Sequence, residues 1–192
     1  MATKPGERKT QILQTLAGML EQPQGEKITT AALAAKVGVS EAALYRHFAS
    51  KAQMFEALIE FIEESVFTLV NQIAQTERDG RAQVQQVVSM LLNFAEKNPG
   101  MVRVLIGDAL VHEDTRLQTR INQLIDRIEA SLKQALQLAQ ATTGNTVPGT
   151  QAGAQANALA AFVIGRWQLF AKSGFKRTPS EFWPEQAALF RI

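Results

Sequence analysis

Cysteine is absent from all 192 residues, tyrosine occurs once, and tryptophan and histidine occur twice each. Each scarcity removes a class of function. Without thiols there is no disulfide, no thiol nucleophile and no Cys-ligated zinc, and a reducing compartment is expected. The two histidines, His47 and His112, stand far apart in sequence, so neither a metal centre nor any other cofactor is expected. No stretch approaches the roughly 20 uninterrupted apolar residues of a membrane helix. Residues 1–9 are polar and charged, without the apolar core of a secretory signal. A cytoplasmic protein with no membrane partner is the expectation. Paired carboxylates, a nucleophile elbow, a phosphate loop and an HExxH pattern are also missing, which argues against an enzyme.

What is present is apolar and helical. Hydrophobic residues make up 46%, enough to bury a core without metal or disulfide. Ala, Gln, Leu and Glu dominate, and alternating strand patterns are missing. The periodicity predicts an all-α protein of about nine helices. The first spans 7–22, with Ile12, Leu13, Leu16, Ala17 and Leu20 inward and Pro23 and Gly25 as stops. Two short helices follow at 30–36 and 40–47. A long one starts after Ser50, whose spacing to Gln53 suits a capping box. Its apolar stripe is Phe55, Leu58, Ile59, Ile62, Val66, Leu69, Val70 and Ile73, and it ends near Asp79-Gly80. Further helices are expected at 82–97, at 99–111 after an Asn98 cap and Pro99, and at 114–140. The Gly/Thr/Pro-rich segment 142–153 reads as a loop, with two last helices at 154–172 and 180–191.

Charge adds little by itself. Residues 1–55 carry seven cations and four anions, a basic end on a near-neutral body with an overall charge of +2. That is compatible with phosphate binding. The stronger signal is ITTAALAAKVGVSEAALYRHF over 28–48. Ala34 is small where two helices cross, and Gly38 suits a turn needing φ > 0. Leu33, Val37, Val39 and Leu44 fill apolar slots, and Ser40 can cap the second helix. This is a helix-turn-helix pattern, and its second helix would display its outer residues to a major groove.

On these residues, and on VGVSEAALYRHFASKAQMFEALI, the chain resembles the TetR family of DNA-binding regulators. The resemblance implies a DNA-binding domain at 1–50 and a helical dimerisation and regulatory domain at 51–192. It implies double-stranded DNA as partner, with Thr29 and Thr30 at phosphate and Ser40, Glu41, Ala42 and Ala43 facing base edges. Tyr45, His47 and Lys51 would meet the duplex backbone, while Arg46 points either to phosphate or away from it. Read from the residues alone, alternatives stay open: Tyr45 as a core aromatic, His47 as a structural histidine, Lys51 as a solvated cation. Alanines at 42 and 43 offer only methyl contacts, leaving much of the specificity to DNA shape.

LIEFIEES, FAEKNPGMVRVLIGDAL and RLQTRINQLIDRIEASL are similar to the nucleoid occlusion factors within that family. Such factors bind palindromic DNA as homodimers and antagonise the tubulin-like division protein FtsZ over the nucleoid. Carried over by position, the FtsZ-facing surface is Phe61, Leu69, Met90, Asn93, Lys97 and Asn98. The chain departs from the pattern at three of these, with leucine 69 and lysine 97 in place of arginine and asparagine 93 in place of glycine. A guanidinium pairs bidentately with carboxylates as neither leucine nor lysine does. Phe61 lies off the centre of its helix seam and reads as partner-facing or as packed on a neighbouring helix. In the family the last two helices form the dimer bundle, which here places Ala158, Ala161, Phe162, Gly165 and Leu169 at the interface; read from the residues alone, burial of this helix within one subunit stays open. The alternative is a conventional repressor with a small apolar effector near Phe94, Leu110, Phe162 and Trp167, all equally readable as core.

Overall fold

The computed structural model describes residues 5–22, 28–142 and 149–192. Among these residues there are nine α-helices, one 3-10 turn and no strand. The helices are α1 (Pro5–Leu20), α2 (Thr30–Val37), α3 (Glu41–Tyr45), α4 (Lys51–Thr76), α5 (Gly80–Lys97), α6 (Pro99–Leu105), α7 (Thr115–Thr142), α8 (Gly149–Lys172) and α9 (Trp183–Leu189). The 3-10 turn is Asp108–Leu110.

By contacts the chain forms two compact units. The first comprises Met1–Ile62 and Asn98–Ile121, and the second Glu63–Lys97 and Asn122–Ile192. In the first unit α1 packs on α2 and α6, burying Ile12, Leu16 and Leu20 with Leu33, Leu44 and Val102. Glycine permits the α1–α6 contact. A Cβ added at Gly100 would stand 1.9 Å from the Ala17 carbonyl oxygen. In the second unit α5 packs on α8, and the indole N–H of the fully buried Trp167 donates to the Leu91 carbonyl at 3.2 Å. A Cβ at Gly80 would lie 2.2 Å from the Ala135 carbonyl oxygen, so the start of α5 meets α7 backbone to backbone.

The heptad-like stripes hold along two helices. Val84, Val87, Val88, Leu91, Leu92 and Ala95 of α5 are all buried, as are Leu117, Ile121, Leu124, Ile128, Leu132 and Leu136 of α7. On α4, Phe55, Leu58, Ile59, Ile62, Val66 and Val70 are buried, but Leu69 is 40% exposed and leaves the expected seam. It stands about 100° round from Val70, near the edge where the stripe meets solvent.

Several expected boundaries move. The helix expected over 99–111 ends at Leu105, because Gly107 adopts φ 82 and turns the chain into the 3-10 segment. The Asn98 side chain makes no cap hydrogen bond there; its carbonyl accepts the N–H groups of Met101 and Val102. The loop expected through 153 gives way to α8 from Gly149, since burial of Ala152 and Ala156 favours helix over the turn preference of glycine. The last helix is shorter than 180–191, entered through Phe182 at φ 65. The expected stops Pro23 and Gly25, and the middle of the 142–153 segment, lie outside the described residues.

Candidate nucleic-acid interface

The helix-turn-helix forms as its residues dictate. Thr29 caps α2, its hydroxyl oxygen accepting the Ala32 N–H at 3.1 Å. Gly38 ends α2 in the left-handed region, φ 78 and ψ 36, and its N–H reaches the Ala34 and Ala35 carbonyls. Ser40 then caps α3 by accepting the Ala43 N–H at 3.2 Å. Leu33, Ala34, Val37 and Leu44 are buried beneath this turn, and Val39 is half-buried. The expected capping box at Ser50 forms in one half only. The Gln53 N–H donates to the Ser50 hydroxyl at 3.2 Å, while the Gln53 side chain accepts the Ala49 N–H at 2.8 Å, one residue before the cap.

With the buried positions filled, the others face outward. Thr29, Ser40, Glu41, Ala42 and Arg46 are exposed; Thr30, Ala43, His47 and Lys51 are half-buried. Tyr45 is 46% exposed, so it is a surface aromatic and not part of the core. Phe48 is buried. Two side-chain contacts change the picture of free donors and acceptors. The Thr30 hydroxyl donates to Glu41 Oε2 at 2.7 Å, tying the start of α2 to the start of α3. Lys51 Nζ pairs with Glu113 Oε1 and lies 5.6 Å from the Phe55 ring centroid. Lys9 Nζ stands 5.6 Å from the Phe48 centroid, which places an α1 cation beside the segment following α3.

Sequence reasoning did not single out Glu113 or Lys9. Glu113 lies 62 positions from Lys51, and no local spacing carries such a pairing. For Lys9 a signal existed, since it follows Arg8 in the basic N-terminal segment.

The other candidate positions are distributed as follows. Phe61 and Leu69 are exposed at 49% and 40% on α4. On α5, Met90 and Asn93 are half-buried and Lys97 exposed, at a spacing that shares one helix face. Asn93 Nδ2 donates to the Ser89 carbonyl at 2.8 Å. Asn98 is half-buried between α5 and α6. On α8, Ala158, Ala161 and Leu169 are exposed and Phe162 and Gly165 half-buried. The spacing 158, 161, 165, 169 is a single face, opposite the buried Leu159, Val163, Trp167 and Phe170. Phe162 stacks with Trp183 and Phe190 at centroid distances of 5.6 and 5.3 Å. Of the residues expected near an effector, Leu110 falls in the first unit, whereas Phe94, Phe162 and Trp167 fall in the second.

Comparison with known proteins agrees with this geometry. The family description "Bacterial regulatory proteins, tetR family" matches residues 25–58, and "Tetracyclin repressor-like, C-terminal domain" matches 78–191, more than half of the chain. The chain belongs to the TetR family. It is 53% identical over 97% of its length, and 94% of the relative's, to a protein named nucleoid occlusion factor SlmA from Marinomonas sp. (strain MWYL1). It is 51% identical to the protein of the same name from Alteromonas mediterranea, over 99% of this chain and 97% of that one. The TetR fold itself is matched by a TetR-like transcriptional regulator from Rhodococcus sp. RHA1, with a TM-score of 0.76 at 16% identity, covering 98% of this chain and 97% of that one. TetR proteins are regulators, not enzymes. No helix among the described residues is long and apolar enough to cross a membrane.

Proposed function

We propose that the protein is a nucleoid occlusion factor: a homodimer that grips palindromic duplex DNA and, while bound, inhibits FtsZ-dependent septum formation over the chromosome. The observation that carries this reading is identity of about half, over nearly the whole of both chains, to proteins bearing that name. In ordinary TetR regulators the DNA-binding segment is the part most alike, yet here the likeness extends across the regulatory half.

The α2–α3 head supports the DNA role. Its caps and turn hold α3 with one face out, where Ser40, Glu41, Ala42 and Ala43 can approach base edges. Thr29, Thr30, Tyr45, Arg46, His47 and Lys51 surround them as phosphate partners. The outward face of α8, centred on Ala158, Ala161, Gly165 and Leu169 with Phe162 at its edge, serves the two-fold interface, since small residues let a second helix approach. Phe61, Leu69, Met90, Asn93, Lys97 and Asn98 serve FtsZ, and association with the nucleoid follows from DNA binding.

The experiment mixes the purified chain, a palindromic duplex and FtsZ with GTP, and follows polymer by sedimentation with and without DNA. Polymer loss that depends on the duplex is expected. Unaltered polymer at saturating protein and DNA overturns the FtsZ half of the reading.

A further inference from the structure

The first residue of α4 is held by an acid from far along the chain. Lys51 Nζ pairs with Glu113 Oε1, and the two side chains are only 22% and 12% exposed. Partial burial strengthens such a pair beyond an ordinary surface contact. Glu113 is also placed by a built turn. Its backbone N–H donates to the Leu110 carbonyl at 3.0 Å, and the next residue, Asp114, caps α7 by accepting the Arg116 N–H at 3.0 Å. The same segment is fastened to α4 twice more. Arg116 lies 3.7 Å from the Glu56 carboxylate, and Arg120 donates to the Glu56 carbonyl at 3.3 Å.

We propose that Glu113 competes with DNA phosphate for Lys51, and so is a positioning residue that sets the affinity and salt dependence of duplex binding. The inference rests on the DNA-binding reading above. An ammonium is a compact charge with rotatable donors, able to exchange a carboxylate oxygen for a phosphate oxygen. To reach phosphate, Lys51 must leave Glu113, and the carboxylate left behind loses its partner in a half-buried place. Binding therefore exchanges one ion pair for another, so the head grips DNA less tightly than its cations alone would allow. Glutamine at 113 keeps the shape and removes the competitor.

The test measures duplex affinity of the full chain against salt for the wild type, Glu113→Gln, Lys51→Met and the double variant. Glu113→Gln is expected to tighten binding by about three- to tenfold near physiological salt, with a log–log salt slope steeper by about one. In the Lys51→Met background the same change is expected to do nothing. The double variant leaves no unpaired charge, so it reports on the pair even if a single variant loses stability. An unchanged or weaker Glu113→Gln complex overturns the proposal, as does a gain that persists without Lys51, which is the mark of general repulsion between Glu113 and the duplex. A wild type that binds no duplex sinks the DNA-binding reading itself, whereas normal wild-type binding with an unresponsive Glu113→Gln sinks only the competition.

Discussion

At the scale of single residues, two glycines show how different a glycine's role can be. An added Cβ at Gly38 meets nothing within 4 Å, so the whole demand there is the left-handed backbone at φ 78. Gly38→Ala is therefore expected to cost about 1–2 kcal/mol through conformation alone, read as a shift in urea midpoint, with the head still folded and duplex binding retained. Loss of the fold in this variant would mean that the turn does more than set φ. Acid stability is also decided residue by residue. The Arg116 guanidinium, then the Arg116 N–H, hold the Asp114 carboxyl below the usual carboxylate range; the N–H groups of Asp79, then Arg78, do the same for Glu77. A carboxyl depressed in the folded state contributes stability that is present above its unfolded value and lost as pH falls through its folded one. Unfolding midpoints are thus expected to drop on acidification below about pH 4, and Asp114→Asn to flatten part of that drop. An Asp114→Asn curve parallel to the wild type would contradict this.

At the scale of elements, backbone approach sets the joints. Gly100→Ala gains about 1 kcal/mol of helix propensity, yet its methyl would stand 1.9 Å from the Ala17 carbonyl oxygen. The contact is with backbone, which cannot swing aside as a side chain can. Overpacking of this kind wins, and a net loss of about 3 kcal/mol is expected in chemical denaturation; a neutral outcome would show that α1 and α6 separate freely. The helix stripes on α5 and α7 were legible in the sequence because a buried face must recur every three to four residues. The end of α6 and the start of α8 were not. Gly107 takes φ 82 just past the cap and stops α6 within a run whose apolar pattern continues as if helical, and Ala152 joins helix because tertiary burial outweighs the turn preference of its neighbours.

At the scale of the whole molecule, the exposed face of α8 asks for a partner. Leu169 is 45% exposed on it, and an added Cβ at Gly165 meets nothing within 4 Å inside one chain. Leu169→Glu is expected to yield a folded monomer in sedimentation velocity, with unchanged helicity. Affinity for a palindrome should fall by about tenfold or more as the second half-site is lost. A Leu169→Glu dimer of wild-type stability would move the interface elsewhere.

By itself the sequence determined the all-α class and the helix-turn-helix with its turn glycine and the Ser40 cap, because these depend on neighbours within a few positions. It also carried the likeness to the TetR family, through motifs that lie in single runs of chain. Only the tertiary structure decided that Tyr45 faces solvent, that Leu69 leaves the α4 seam, that Gly100 and Gly80 are joints, and that Lys51 is paired with Glu113. Each of those depends on which distant segment arrives beside a residue, and no periodicity or propensity along the chain encodes that arrival.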